Sequence, residues 1–149
     1  MEIASIPFKK TGYFSSLICD YLDEKPSLQG FYNSFPSIDG FKLQLQKKEK
    51  SFTKEKRQVL VKALNSQYAE LLVSEDTEKN ITLLGDNKTF TIVTGHQLNI
   101  FTGPLYFLYK IVSTINLSRD LKKAYPSYNF VPIYWMATED HDFEEINYF

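Results

Sequence analysis

The sequence has few of the features that mark secreted and membrane proteins. Its 149 residues contain a single cysteine, Cys19, so no disulfide can form within the chain and a disulfide-stabilised secreted scaffold is excluded. Its first residues lack a basic segment followed by an apolar one, so we expect no signal peptide. No run approaches the roughly 18 apolar residues that a membrane span needs. We therefore expect a cytoplasmic protein that has no membrane partner.

Neither sign of charge is in excess. Seventeen Lys and Arg residues stand against eighteen Asp and Glu residues, which gives a formal net charge of −1. Such a balance provides no global attraction to nucleic acid, so we expect no nucleic-acid partner. Hydrophobic residues make up 43% of the chain and aromatic residues 15%, which is typical of a folded domain with a large aromatic core. We expect the only tryptophan, Trp135, to lie in that core.

Residues 1–84 have the pattern of a helical segment. We expect helices after a cap at Ser15 or Ser16, over 52–72, and after Ser74, and we expect the lysine-rich run 42–50 to be a solvated helix or a connector. The 52–72 helix has an apolar face made of Leu60, Leu64, Tyr68 and Leu71. Its basic run is Lys54, Lys56, Arg57 and Lys62, which we expect on a solvated face; the alternative is a phosphate-binding patch. We expect the thiol of Cys19 to be buried and inert.

Residues 85–149 alternate between strand and helix patterns. Residues 89–94 are β-branched and aromatic, which predicts a strand that Gly95 ends. We expect the next helix to begin with Thr102 as its cap and to reach about Ala124. Its apolar residues recur at Leu105, Leu108, Val112 and Ile115. Residues 130–136 form an apolar run typical of a buried parallel strand. The sequence therefore predicts an α/β fold: a helical segment, 1–84, and a βαβ unit, 85–149, which is incomplete as a sheet.

Polar donors are concentrated in residues 94–104, between the first strand and the following helix. The expected binding residues are Gly95, His96, Gln97, Asn99, Thr102 and Gly103. In open α/β sheets, ligands bind at the carboxyl ends of the strands, and glycines allow close approach of the backbone. The segment is neither a Walker loop nor a Gly-x-Gly-x-x-Gly dinucleotide motif. The alternative is that both glycines only shape a tight turn.

A second polar segment, residues 137–145, follows the second strand. Glu139, Asp140 and His141 are candidates for general acid–base catalysis, because histidine titrates near neutral pH. Asp140, His141 and Asp142 could instead hold a divalent metal such as Mg²⁺, as in a metal-dependent hydrolase or transferase. A structural zinc site is not expected, because no cysteine ligand is present. A third alternative is an acidic first turn of a helix with no chemical role.

Both segments resemble one enzyme family. They read VTGHQ at 93–97, FTGPLY at 101–106 with Lys110, and VPIYWMATEDHDFEEIN at 131–147. In this order they resemble the bacillithiol biosynthesis cysteine-adding enzyme family, BshC. The segments DYL at 20–22 and FY at 31–32 are also similar to the family's opening. The resemblance covers nearly the whole chain.

The resemblance implies a fold and a reaction. Family members are several-fold longer, and they are similar to class I aminoacyl-tRNA synthetases, with a Rossmann-like core and a C-terminal coiled coil through which a homo-oligomer could form. On this view the chain is the N-terminal portion of a ligase that joins cysteine to glucosaminyl-malate by an amide bond, and we expect it to be inactive alone. By analogy, ATP with magnesium would activate the cysteine carboxyl group.

The sequence departs from the family's pattern at one position. Many members carry glutamine where this chain has His96, so the resemblance favours hydrogen-bond donation over proton transfer at His96. The resemblance also implies a role for the second segment. His141 or a neighbouring carboxylate would bind the cysteine ammonium group or accept a proton from the amine. A non-catalytic nucleotide-binding or sugar-binding module remains an alternative to the ligase.

Overall fold

The structure, a computed structural model, describes residues 4–99 and 102–140. It consists of two compact units, Met1–Gln46 and Lys47–Phe149, and each is described by itself. The boundary that the sequence predicts after residue 84 separates the helical segment from the βαβ unit, and it stays a prediction.

The first unit is built from short helices. Helix α1 is Phe8–Thr11, α2 is Ser16–Leu22, and a 3₁₀ helix spans Pro26–Phe31; α3, Ile38–Ser51, begins in this unit and its last residues belong to the second. Ser15 caps α2, since its side chain accepts a hydrogen bond from the amide of Ile18 at 3.4 Å. This confirms one of the two predicted caps. Cys19 is buried, as the sequence predicts.

Two further helices precede the sheet in the second unit. Helix α4 is Lys54–Tyr68 and α5 is Glu75–Leu83. Each is capped by a hydroxyl group: Thr53 accepts from the amide of Lys56, and Ser74 accepts from the amide of Thr77. These caps satisfy amides that have no partner within the helix, so both helices begin where a Thr or Ser precedes a charged run.

The basic run of α4 is not entirely solvated, contrary to the prediction for Arg57. This side chain is only 2% exposed, and Phe52 covers its guanidinium group at 4.9 Å from the ring centroid. Nη1 donates to the carbonyl oxygens of Leu84 at 3.2 Å and Thr89 at 2.9 Å, and Nη2 donates to that of Asn87 at 3.2 Å. Buried carbonyl groups need donors, and the planar guanidinium group supplies several at once.

A parallel pair of strands with a crossover helix confirms the predicted βαβ unit. Strand β1 is Thr89–His96, α6 is Leu105–Ala124, and β2 is Asn129–Met136. The strands pair in register from Thr89↔Asn129 to His96↔Met136. Gly95 lies within β1 rather than ending it. A Cβ atom there would stand 2.9 Å from the carbonyl oxygen of Trp135, so the strand can continue only because residue 95 has no side chain.

Helix α6 does not bury the apolar face that the sequence predicts. Three of the four predicted residues are exposed: Leu105, Leu108 and Val112. The buried residues of the helix are Thr114, Ser118 and Leu121 instead. The hydroxyl groups of Thr114 and Ser118 donate to helix carbonyl oxygens four residues earlier, at 2.8 and 2.9 Å. Because these polar groups are satisfied within the helix, they can be buried at little cost.

The buried residues of the second unit lie towards the amino ends of the strands. They include Thr89, Leu121 and Val131, which are at most 3% exposed. At the other end of β2, Trp135 and Met136 are each 60% exposed, so the prediction that Trp135 belongs to the core is wrong. Within 4–99 and 102–140, no helix has the length and apolar character needed to cross a bilayer.

Candidate functional site

The carboxyl ends of β1 and β2 meet at one edge of the sheet. His96 is paired with Met136, and the amide of Ala137 donates to the carbonyl oxygen of His96 at 3.2 Å. The two polar segments that the sequence singles out therefore leave the sheet side by side. In open parallel sheets this edge is the usual place for a ligand.

Hydrogen bonds to both ring nitrogens hold the side chain of His96. Its Nε2 atom lies 2.8 Å from the hydroxyl oxygen of Tyr106, and its Nδ1 atom lies 3.1 Å from Nδ2 of Asn99. The Asn99 amide also donates to the carbonyl oxygen of Gln97 at 3.0 Å, which places its NH₂ group next to the ring. Nδ1 also lies 3.1 Å from the carbonyl oxygen of Gln97, so the direction of the bond with Tyr106 depends on which ring nitrogen carries the hydrogen.

Two side chains bind the backbone at the end of β1. The Tyr134 hydroxyl donates to the carbonyl oxygen of His96 at 3.2 Å, and Lys110 donates to that of Gly95 at 3.3 Å. The ring of Phe107 packs edge-on against His96 and Tyr134, with centroids 5.9 and 5.5 Å apart. Burial raises the pKa of Tyr134, which favours the protonated form that donates to His96.

The two glycines of the first segment are required by the chain itself. Gly103 has φ +65°, and a Cβ atom there would stand 2.8 Å from the Cβ atom of Asn99. Thr102 also has a positive φ, 68°, so it is not the predicted cap of α6, which needs extended geometry. Pro104 occupies the cap position and has no side-chain cap bond. The alternative that the glycines only shape a tight turn accounts for Gly103, whereas Gly95 lies within β1 and is required by the close approach of Trp135.

The second segment is described only in part. Thr138, Glu139 and Asp140 are exposed, and the amide of Asp140 donates to the carbonyl oxygen of Ala137 at 3.3 Å, which folds the segment into a turn. His141 lies outside the described residues, as does Asp142, so the acid–base and metal alternatives both stay predictions. No group of three or more His, Cys, Asp and Glu residues in the described ranges could hold a metal ion.

Tyr106 and Lys110 also lie at this edge of the sheet. They are not among the site residues that the sequence predicts. They lie on the first turns of α6, four residues apart, so both side chains project from the same face of the helix. The ammonium group of Lys110 lies 5.6 Å from the centroid of the Tyr106 ring. Their position soon after Gly103 and Pro104 could have predicted this, because it places both residues just after the turn that follows β1.

Comparison with known proteins gives one consistent result. Residues 1–149 match the family described as "Bacillithiol biosynthesis BshC, N-terminal Rossmann-like domain". A protein of Flavobacterium psychrophilum named "Putative cysteine ligase BshC" is 66% identical over 150 residues, which cover 100% of this chain and 28% of that protein. Relatives with the same name from Christiangramia forsetii and Bacillus thuringiensis are 60% and 34% identical, with 100% and 99% of this chain matched. The matched region is 28% and 26% of their lengths.

Proposed function

Because this chain belongs to the bacillithiol biosynthesis BshC family, whose N-terminal Rossmann-like domain it matches over residues 1–149, we propose that it forms the substrate site of a cysteine ligase. The ligase joins the carboxyl group of cysteine to the amine of glucosaminyl-malate, with an amide as product. The chain spans 28% of the Flavobacterium psychrophilum relative, so the complete reaction is proposed for a protein that contains this domain together with the remaining length of such a relative.

The observation that carries the proposal is the meeting of two polar segments at the carboxyl edge of the sheet. The hydrogen bond from Ala137 to His96 brings residues 137–140 alongside the end of β1. Lys110, on the first turns of α6, supplies a donor at this edge, and the segment after β2 supplies the carboxylates of Glu139 and Asp140. Such an edge can hold an acidic group and an amine next to each other, which amide formation requires.

Amide formation also requires an activated carboxyl group. A carboxylate does not react with an amine directly, and we propose by analogy that ATP with magnesium provides the activation, with the cysteine adenylated and pyrophosphate released before the amine displaces AMP. Glu139 and Asp140 have the oxygen donors that Mg²⁺ prefers, and a carboxylate here could alternatively bind the ammonium group of cysteine. His141 or one of these carboxylates would accept the proton that the attacking amine loses.

The compartment and assembly follow from the same proposal. We place the enzyme in the cytoplasm, where cysteine and a buried free thiol such as that of Cys19 stay reduced. Oligomerisation would come from the part of the relatives that lies outside the matched region, where the family resemblance implies a coiled coil.

A hybrid protein tests the function. Residues 1–149 replace the matched region of the Flavobacterium psychrophilum relative, and the product of cysteine, glucosaminyl-malate and ATP is measured by mass spectrometry. We expect amide product from the hybrid and at least a hundredfold loss with His141→Ala, typical of removing an acid–base group. Asp120→Asn, an exposed change on α6, is the control and keeps activity. A folded hybrid without product overturns the proposed function, and full activity of His141→Ala removes His141 from it.

A further inference from the structure

We propose that Tyr106 and Lys110 together bind a carboxylate group of the substrate, and that His96 is a positioning residue that holds the Tyr106 hydroxyl for this contact. The inference rests on the proposed function, because it assigns a substrate group to the edge of the sheet described above. It adds two binding residues outside the polar segments from which the site was first predicted.

The proposal assigns the ring hydrogen of His96 to Nε2, which leaves the phenolic hydrogen of Tyr106 available. Nδ1 lies 3.1 Å both from the Asn99 amide nitrogen and from the carbonyl oxygen of Gln97; where it accepts from Asn99, the ring donates its Nε2 hydrogen to the Tyr106 oxygen over 2.8 Å. Tyr106 is therefore an acceptor in this contact. Within the described ranges its hydroxyl makes no other hydrogen bond, and the side chain is 51% exposed. A tyrosine fixed in this way offers one oriented O–H donor to a ligand.

Lys110 places a positive charge beside that donor. Its ammonium group lies 5.6 Å from the centroid of the Tyr106 ring and donates one hydrogen to the carbonyl oxygen of Gly95 at 3.3 Å. That bond anchors the flexible lysine at the end of β1, and an ammonium group has two further hydrogens to donate. A phenol and an ammonium group on one helix face are both donors, so the complementary ligand group is an anionic acceptor.

Charge favours a carboxylate over a triphosphate as that acceptor. Lys110 offers one positive charge, which matches the single negative charge of a carboxylate. The exposed carboxylates of Glu139 and Asp140 follow β2 at the same edge, and they would repel the several negative charges of a triphosphate. The carboxylate could belong to cysteine or to the malate part of the second substrate, and the experiment distinguishes these two sources.

A glutamine side chain could take over the positioning role of His96. A glutamine amide can donate to the Tyr106 oxygen as Nε2 of His96 does, whereas it cannot exchange a proton near neutral pH. We therefore expect His96→Gln to keep substrate affinity and His96→Ala to lose it. In a Tyr106→Phe background, His96→Ala should cause no further loss, because a positioning residue acts only through the group that it orients.

Titration of the hybrid protein described under the proposed function tests the inference. Three probes, L-cysteine, glucosaminyl-malate and ATP, are each titrated against the unsubstituted hybrid and its variants by NMR, which also reports whether each variant is folded. We expect Tyr106→Phe and Lys110→Met to weaken binding of one carboxylate-bearing substrate about tenfold, as the loss of one charge-assisted contact would. Tyr109→Phe, an exposed tyrosine on the same helix, and Lys123→Met near its other end are matched controls that keep affinity.

The results separate this inference from the function that it rests on. Loss confined to L-cysteine assigns the pair to the cysteine carboxylate, and loss confined to glucosaminyl-malate assigns it to the malate group; either supports the inference. Unchanged binding of both substrates by folded Tyr106→Phe and Lys110→Met overturns it while the proposed function stands. Loss confined to ATP also overturns it. If the unsubstituted, folded hybrid binds neither substrate, this domain is not the substrate site and both proposals fail.

Discussion

Nη1 of Arg57 lies 2.9 Å from the carbonyl oxygen of Thr89, the first residue of β1. The same nitrogen donates to the carbonyl oxygen of Leu84 at the end of α5, at 3.2 Å. One side chain of α4 therefore fixes the turn through which the chain enters the sheet. Burial lowers the pKa of Arg57, but arginine remains protonated under all ordinary conditions, so these bonds persist across the working pH range.

Replacing Arg57 tests this connection. Arg57→Lys keeps the charge but loses the planar fork that reaches several carbonyl groups, so we expect the free energy of unfolding to fall by about 2–3 kcal/mol. Urea denaturation followed by circular dichroism measures the change. Arg119→Lys is the matched control, since Arg119 is exposed, and its midpoint should equal that of wild type. An unchanged midpoint for Arg57→Lys would show that the carbonyl groups need no such donor.

The turn after β1 should be sensitive to a single methyl group. Gly103→Ala places a Cβ atom 2.8 Å from that of Asn99 at a φ of +65°, so we expect a loss of about 1–3 kcal/mol of stability. Thermal unfolding reports this as a lower midpoint. Gly30→Ala is the control, because its Cβ atom would have no neighbour within 4 Å. Equal effects of the two substitutions would contradict the geometry of the turn.

Tyr134 should titrate at a higher pH than an ordinary tyrosine. Burial raises its pKa above the model-compound value of 10.0, so the protonated form is favoured in the folded state. The stability that this contributes is complete below the pKa of an unfolded tyrosine and is lost as the pH rises through the higher folded pKa. Alkaline titration with ¹³C-labelled tyrosine should show one late resonance that is missing in Tyr134→Phe. Loss of an early resonance instead would refute the expectation.

Introducing a larger side chain on one face of α6 tests whether that face packs against the sheet. Ser118 is 4% exposed, so Ser118→Leu forces extra volume into a filled space, and we expect a loss of about 1–3 kcal/mol. Val112 is 51% exposed, so Val112→Ala should change stability by less than about 0.5 kcal/mol. Chemical denaturation of both variants compares the two faces directly. The reverse order would mean that the apolar pattern of the sequence, and not the observed packing, marks the buried face.

Much of the fold was predictable because its signals are local. Ser15 and Ser74 mark helix starts, the β-branched run marks β1, and the apolar run near the end marks β2. Together they predict the α/β class and the βαβ unit, both of which are confirmed. The resemblance to the BshC family, with its Rossmann-like core, is confirmed as well, because the two motif segments carry it in order along the chain.

The errors concern side chains whose environment is set by distant parts of the chain. Arg57 is buried because carbonyl groups 27 to 32 residues away need donors, and no local pattern contains that information. Ser118 is buried because its hydroxyl group is satisfied by its own helix, whereas a count of apolar residues treats it as polar. At the site, adjacency of the two segments followed from parallel strand topology, but the bond between His96 and Tyr106 depends on side-chain positions that spacing does not determine.

Different side chains bind the backbone at the two ends of β1. Arg57 binds the chain at Thr89, and the hydrogen-bonded cluster around His96 lies seven residues further on, roughly 23 Å away at about 3.3 Å per residue. Substitutions around His96, where we propose that a substrate binds, can therefore accumulate without loosening the anchor at Thr89. A lineage could exchange histidine for glutamine there and still inherit the same scaffold, which makes this strand a natural starting point for redesigning the proposed site.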